Sequence, residues 1–255
     1  MKNFWFCLVL LATLFVVPST QYLTAQETSE LPRTLVPAER LGEQWWKERH
    51  EANKARIEQG NVDLLLVGDS ITHGWDGAGA KVQEYYYGDR NYVNMGFGGD
   101  QPQHVLWRLN DAPMDKIHPK AAVLLIGINS LWGEWDHCSE NTARGIRACV
   151  DKLQALYPDI KILVLDVFVA RETADDPVRD RMHKTNSYLP GMFIDYKNVT
   201  VLDINHLWLD ENGNIPKEMM SDFVHPGEEG YKLWGAEVEP YISDMLGVPA
   251  KAKME

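Results

Sequence analysis

Cysteine is scarce, with three residues in 255, and positive charge is scarcer than negative, 25 Lys and Arg against 37 Asp and Glu. The first scarcity excludes a disulfide-stapled scaffold: Cys7 falls in an N-terminal apolar run, and only Cys138 and Cys149 are left beyond it. Cys149 shares a helical face with Ile146, Val150 and Leu153, which marks it as a core residue rather than a redox centre. The second scarcity, a formal charge of −12, makes nucleic acid and anionic membrane surfaces poor partners, because both would be repelled. Neutral substrates such as sugars or simple esters fit better. The histidines show no H-x-x-x-H pairing of the metal-ligand kind, so no metal and no other cofactor is expected. No apolar run is long enough to span a bilayer. The run Phe4–Val17 has about 14 residues against the ~20 a spanning helix needs.

That run follows Met1-Lys2-Asn3 and leads through Pro18-Ser19-Thr20 to Thr24-Ala25-Gln26, the pattern of a secretory signal peptide over 1–26. An uncleaved anchor is the alternative. Cleavage moves the formal charge to −13, leaves no stable membrane span, and places the protein outside the cell or in the periplasm. Residues 27–44 read as an N-terminal extension, loose up to about Pro37, residues 45–246 as the single domain, and 247–255 as a tail. With 45% hydrophobic residues the chain can build a sizeable core.

Through that domain, short apolar runs alternate with helical spacing. The runs are Asp63–Val67, Tyr92–Met95, Ala121–Ile126, Ile160–Phe168 and Val199–Ile204. Helices are predicted over Glu39–Gln59, around Ile146, Val150, Leu153 and Tyr157, and around Tyr231, Trp234, Val238 and Tyr241. Continuous apolar strands separated by helices indicate a parallel sheet covered on both faces. Ligands of such sheets bind beyond the carboxyl ends of the strands, so the residues following each run are the candidates for chemistry.

Four segments pass that filter. Gly68-Asp69-Ser70 puts a serine straight after a strand at a helix start, as a nucleophile or merely as a cap. Gly96-Phe97-Gly98-Gly99-Asp100 is not the dinucleotide fingerprint, because its third glycine would fall at Gln101; it is an N–H donor loop or a tight turn. Gly127-Ile128-Asn129-Ser130 offers an uncharged amide donor, or a turn asparagine. Asp222-Phe223-Val224-His225 precedes the last helix. A serine hydroxyl attacks an ester only with an imidazole to take its proton and an acid to orient that imidazole, and Asp-x-x-His supplies both. Each signal is weak by itself; together they supply every part of an acyl-transfer site.

The four segments resemble the SGNH branch of the GDSL esterase/lipase family, whose named residues fall at Ser70, Gly99, Asn129 and His225, with Asp222 completing the triad. Gly98-Gly99-Asp100 followed by Gln103–Leu109, and Arg171-Glu172 followed by Pro177, Arg179 and Asn186, are similar to the group containing the catalytic subunits of platelet-activating-factor acetylhydrolase and their bacterial relatives. The resemblance runs from about Trp45 to Tyr241. It implies a flavodoxin-like three-layer α/β/α sandwich with a five-stranded parallel sheet and no metal. One departure is Ser130, where many members carry Asp or Asn after the block-three asparagine.

The mechanism implied has His225 as base to Ser70, Asp222 orienting His225, and an oxyanion held by the N–H groups of Ser70 and Gly99 and the Asn129 amide. Of the rival bases, His73 has no acid at matching spacing, and His104 sits in a helix-like run as a core or supporting residue. Asp69, Trp75, Trp132, Trp135 and Arg171 are expected to bind substrate, although Trp75 and Trp132 could equally pack the loops. Secretion, acidity and these rings favour an acetylated carbohydrate. A short-acyl phospholipid or lysophospholipid is the alternative ester. A non-catalytic carbohydrate-binding protein is the alternative of another class, and would be expected to lack a triad member. A homodimer is left open, since relatives include dimers.

Overall fold

The computed structural model describes residues 31–135 and 137–255. The expected signal peptide, 1–26, lies outside the described residues, and none of the described helices is long and apolar enough to cross a membrane.

The five apolar runs become five strands: β1 (Leu64–Gly68), β2 (Tyr92–Gly96), β3 (Ala121–Leu125), β4 (Lys161–Leu165) and β5 (Val199–Leu202). All pairings are parallel, in the order β2-β1-β3-β4-β5. The central strands β1 and β3 are buried throughout, which is why their sequences, LLLVG and AAVLL, are apolar at every position rather than at alternate ones.

Among the described residues, seven α-helices connect and cover them: α1 (Gln44–Glu58), α2 (Ser70–His73), α3 (Ala80–Tyr87), α4 (Pro102–Asp111), α5 (Cys138–Leu156), α6 (Pro177–Met192) and α7 (Glu228–Leu246). The strand order decides their layers. The β1-to-β2 crossover runs one way across the sheet, and the three later crossovers run the other way. Right-handed connections therefore put α3 on one face and α4, α5 and α6 on the opposite face. The packing agrees, with α4 against α5, α5 against α6, and α7 against α3. The chain diverges to opposite faces after β1 and after β3, which are neighbours. A crevice must open at their carboxyl ends.

Two expectations about the N-terminal part change. Residues 31–37 are not loose: Thr34 is buried and its hydroxyl donates to the Asn141 carbonyl at 2.6 Å. The first long helix begins at Gln44 rather than Glu39, because Arg40 turns back to bind the loop after β2. At the other end, the 247–255 tail is held against the domain. The Lys251 amide donates to Glu239 at 2.7 Å and its ammonium to Asp89 at 2.6 Å. Cys149 is buried against α4, its Sγ 3.6 Å from the Pro102 carbonyl, and burial pushes its thiol pKa up.

Candidate active site

The crevice is built by glycines that let backbones close on one another. A Cβ on Gly68 would lie 2.1 Å from Thr72 Oγ1 and 2.3 Å from the Leu125 carbonyl, so only glycine admits the turn from β1 into α2. Asp69 caps that helix, its carboxylate accepting from the Ile71 amide at 3.0 Å. Ser70 is thereby the first residue of α2, half-buried at the sheet edge. The loop before α7 brings the other two groups. The Ser70 hydroxyl meets His225 Nε2 at 2.8 Å, and His225 Nδ1 meets the Asp222 carboxylate at 2.7 Å. With a neutral imidazole, each contact has one donor only if Nδ1 carries the ring proton and Nε2 accepts from the serine. The other Asp222 oxygen accepts from the Val224 and His225 amides at 3.0 and 2.8 Å. Burial disfavours the Asp222 anion, but the bonds from the His225 amide, its ring and the Val224 amide outweigh that, and the carboxyl titrates below its ordinary value.

Of the three expected donors, Ser70 carries one itself; the Gly98-Gly99 loop is tied to the end of β1 by the Phe97 amide, which donates to the Gly68 carbonyl at 3.1 Å, and Asn129 is tied to that loop through Asp100. Among the described hydrogen bonds, the Ser70 and Gly99 amides donate to no protein acceptor. Gly99 sits at φ +73°, in the region that favours glycine. The Asn129 side chain is fixed at both ends: Oδ1 accepts from Trp132 Nε1 at 3.3 Å, and Nδ2 donates to the Asp100 carbonyl at 3.0 Å. An amide nitrogen has two protons, so one remains for a ligand.

The five residues expected to bind substrate separate. Trp132 stays at the site, half-buried, with the Arg171 guanidinium 4.9 Å from its ring centre. Arg171 is exposed, in left-handed conformation at φ +76°, and its amide donates to the carbonyl of Phe223, inside the Asp222–His225 loop. Trp75 is a correction. It is 1% exposed and packs among Tyr87, Tyr231 and Trp234, so it is core and meets no substrate. Asp69 is a second correction, equally buried and occupied as a cap. Burial, with the like charge of Asp100, pushes its pKa up to about 7. Trp135 donates to the Ser130 carbonyl and lines a separate cavity of about 650 Å³ with Tyr188, Arg181 and Lys184, none of the three triad positions among its walls.

The rival histidines are otherwise engaged. His104 Nδ1 accepts from the Gln101 amide at 2.9 Å, and His73 stacks on Trp45. Burial holds both below their ordinary values. Sequence reasoning missed the buried Asp100. Its carboxylate accepts from Trp46 Nε1 at 2.8 Å, Arg40 Nη1 at 2.8 Å and Arg108 Nε at 2.9 Å, and so anchors the Gly98-Gly99 loop. The only signal was its place beside the glycines.

Comparison with known proteins agrees with this architecture. The chain is 30% identical over 195 residues to the alpha2 subunit of platelet-activating factor acetylhydrolase IB from Rattus norvegicus, covering 74% of this chain and 80% of that protein. A GDSL-like lipase structure from Bacteroides thetaiotaomicron superposes with a TM-score of 0.60 at 19% identity, over 77% of this chain and 97% of the other. An acetylxylan esterase structure from Geobacillus stearothermophilus gives 0.56 at 18% identity, over 75% and 98%. Residues 66–233, which span all four motif segments, match the model of the GDSL-like Lipase/Acylhydrolase family. The chain belongs to that family and is a carboxylic ester hydrolase.

Proposed function

We propose that the protein is a secreted serine esterase that removes short acyl groups, acetyl above all, from O-acetylated carbohydrate through a Ser70–His225–Asp222 triad. The observation that carries the reading is the unbroken hydrogen-bond line from Ser70 Oγ through both ring nitrogens of His225 to Asp222, at 2.8 and 2.7 Å.

The chemistry follows from that line. His225 Nε2 takes the hydroxyl proton as Ser70 Oγ attacks the ester carbonyl. Asp222, held ionised by its hydrogen bonds, keeps the proton on Nδ1 and stabilises the imidazolium as it forms. Negative charge then develops on the former carbonyl oxygen, where the amides of Ser70 and Gly99 and the free Asn129 proton receive it. One such donor is worth about 10²–10³ in turnover. His225 returns its proton to the leaving alcohol, and water repeats the sequence on the acyl-enzyme.

The substrate class rests on three supports: the signal-peptide pattern of residues 1–26, the net negative charge, and the half-buried Trp132 ring beside the donor amide. A lysophospholipid or short-acyl phospholipid is the second reading, favoured by the similarity to the acetylhydrolase subunit. Nitrophenyl acetate should be cleaved well and nitrophenyl octanoate poorly, and acetylated xylan should release acetate faster than lysophospholipid releases fatty acid. Fluorophosphonate should label the wild type and leave Ser70→Ala untouched. Full esterase activity in Ser70→Ala rejects the triad.

A further inference from the structure

The Gly98–Gly99 peptide carries one of the proposed oxyanion donors, yet nothing on either residue can hold it in place. Neither has a side chain, and Gly99 already sits at φ +73°. Glycine reaches both signs of φ at little cost, so a glycine–glycine peptide can turn over unless something outside it intervenes. A trans peptide points its C=O and its N–H to opposite sides. Whatever grips the Gly98 carbonyl therefore sets where the Gly99 N–H points.

That grip comes from the segment before α1. Arg40 Nη1 donates to the Gly98 carbonyl at 2.7 Å and to Asp100 Oδ1 at 2.8 Å. Its other edge is held by Glu43, Nε and Nη2 each donating to one carboxylate oxygen at 2.9 Å. The guanidinium plane lies against Gly99 so closely that a Cβ there would meet both terminal nitrogens at 3.3 Å. The guanidinium carbon also lies 5.6 Å from the centre of the Trp45 ring. A planar group with donors on two edges is suited to bridging a carbonyl and two carboxylates at once.

We propose that Arg40 is a positioning residue of the oxyanion hole, holding the Gly98 carbonyl on its own side of the peptide so that the Gly99 N–H is presented on the other. Arg40 touches no reacting atom. It acts by removing the alternative in which the peptide turns over and a carbonyl oxygen, a repulsive neighbour for an oxyanion, takes the place of the N–H. This rests on the serine-esterase reading, and gives a residue outside the four motif segments a part in transition-state stabilisation.

The test compares Arg40→Met, Arg40→Lys and Glu43→Gln with the wild type on nitrophenyl acetate, and measures binding of a trifluoromethyl ketone that forms a tetrahedral adduct with serine. In Arg40→Met, kcat should fall about ten- to a hundredfold, somewhat less than the loss of a whole donor. KM should stay within about twofold, and ketone affinity should weaken by the same factor as kcat/KM. The midpoint of the pH–rate profile should not move, because His225 and Asp222 are untouched. Glu43→Gln, which loosens only the outer edge of the fork, should keep kcat within about threefold. Arg40→Met with wild-type kcat, or with lowered kcat but unchanged ketone affinity, overturns the proposal while leaving the esterase reading intact. Should Arg40→Met fail to fold, Arg40→Lys decides. It keeps the charge beside Asp100 but is shorter and lacks the fork, so kcat should drop about three- to tenfold, and an unchanged kcat overturns the proposal. A wild type that takes up no fluorophosphonate at Ser70 removes the esterase reading and this proposal together.

Discussion

Asp69 stands next to the nucleophile and has a titration that the proposed chemistry does not use. Burial raises its pKa to about 7, with Asp100's like charge adding to the effect and the Ile71 amide opposing it. One carboxylate oxygen accepts that amide, and the other is buried without a partner. The sign of the consequence is fixed. Between its ordinary value of 3.8 and about 7, the folded protein holds a proton that the unfolded chain has released, so stability falls as pH rises through that window and is level above it. Asparagine has the shape of the protonated acid and caps a helix as well. Asp69→Asn should therefore narrow the gap in melting temperature between pH 5 and pH 8, gaining at pH 8. The slope should shrink rather than vanish, because Asp166 is likewise raised to about 7 by burial and by Asp203. An unchanged gap would show that Asp69 keeps its charge at neutral pH despite burial.

At the scale of elements, the site depends on how sharply β1 turns into α2. Gly68→Ala would put a methyl carbon 2.3 Å from the Leu125 carbonyl of β3 and 2.1 Å from Thr72 Oγ1. Thr72 can rotate, but a carbonyl in the middle of a sheet cannot, so β1 and α2 would have to separate. Overpacking of this kind costs about 3 kcal/mol or more and displaces Ser70 from His225, so the variant should melt lower and lose most of its turnover. A chemical denaturation curve and an esterase assay together check both halves. The strands themselves were legible in the sequence because a strand buried on both faces is apolar at every position, as in Leu64-Leu65-Leu66-Val67 and Ala121-Ala122-Val123-Leu124-Leu125. The segments after them were legible because parallel sheets put their chemistry there. Trp75 was misassigned because a ring after a strand end looks the same whether it faces the crevice or the core, and what decides it, Tyr231 and Trp234, comes from the last helix. Arg40 and Thr34 were illegible for a similar reason. Their partners, Gly98, Asp100 and Asn141, lie far along the chain, and no local pattern announces such a contact.

For the molecule as a whole, the dominant long-range property is its net charge of −12, which becomes −13 if residues 1–26 are removed. An exposed cation, Arg171, lies over Trp132, with its amide bonded to Phe223 inside the Asp222–His225 loop. These two influences act over different distances. At about 10 mM ionic strength the screening length is about 30 Å, and an approaching anion feels the summed charge of the protein; at about 150 mM it is about 8 Å, and only nearby groups count. A neutral O-acetylated xylo-oligosaccharide should therefore be hydrolysed with a kcat/KM nearly independent of salt. The same oligosaccharide carrying a uronic acid should be a poor substrate at low salt, improving several-fold between those two ionic strengths as the repulsion is screened. The effect should sit in kcat/KM rather than kcat, because repulsion acts on encounter and not on the bound ester. If salt instead slows the anionic substrate, Arg171 and its surroundings govern the approach, and the acidic surface is no guide to which esters reach Ser70.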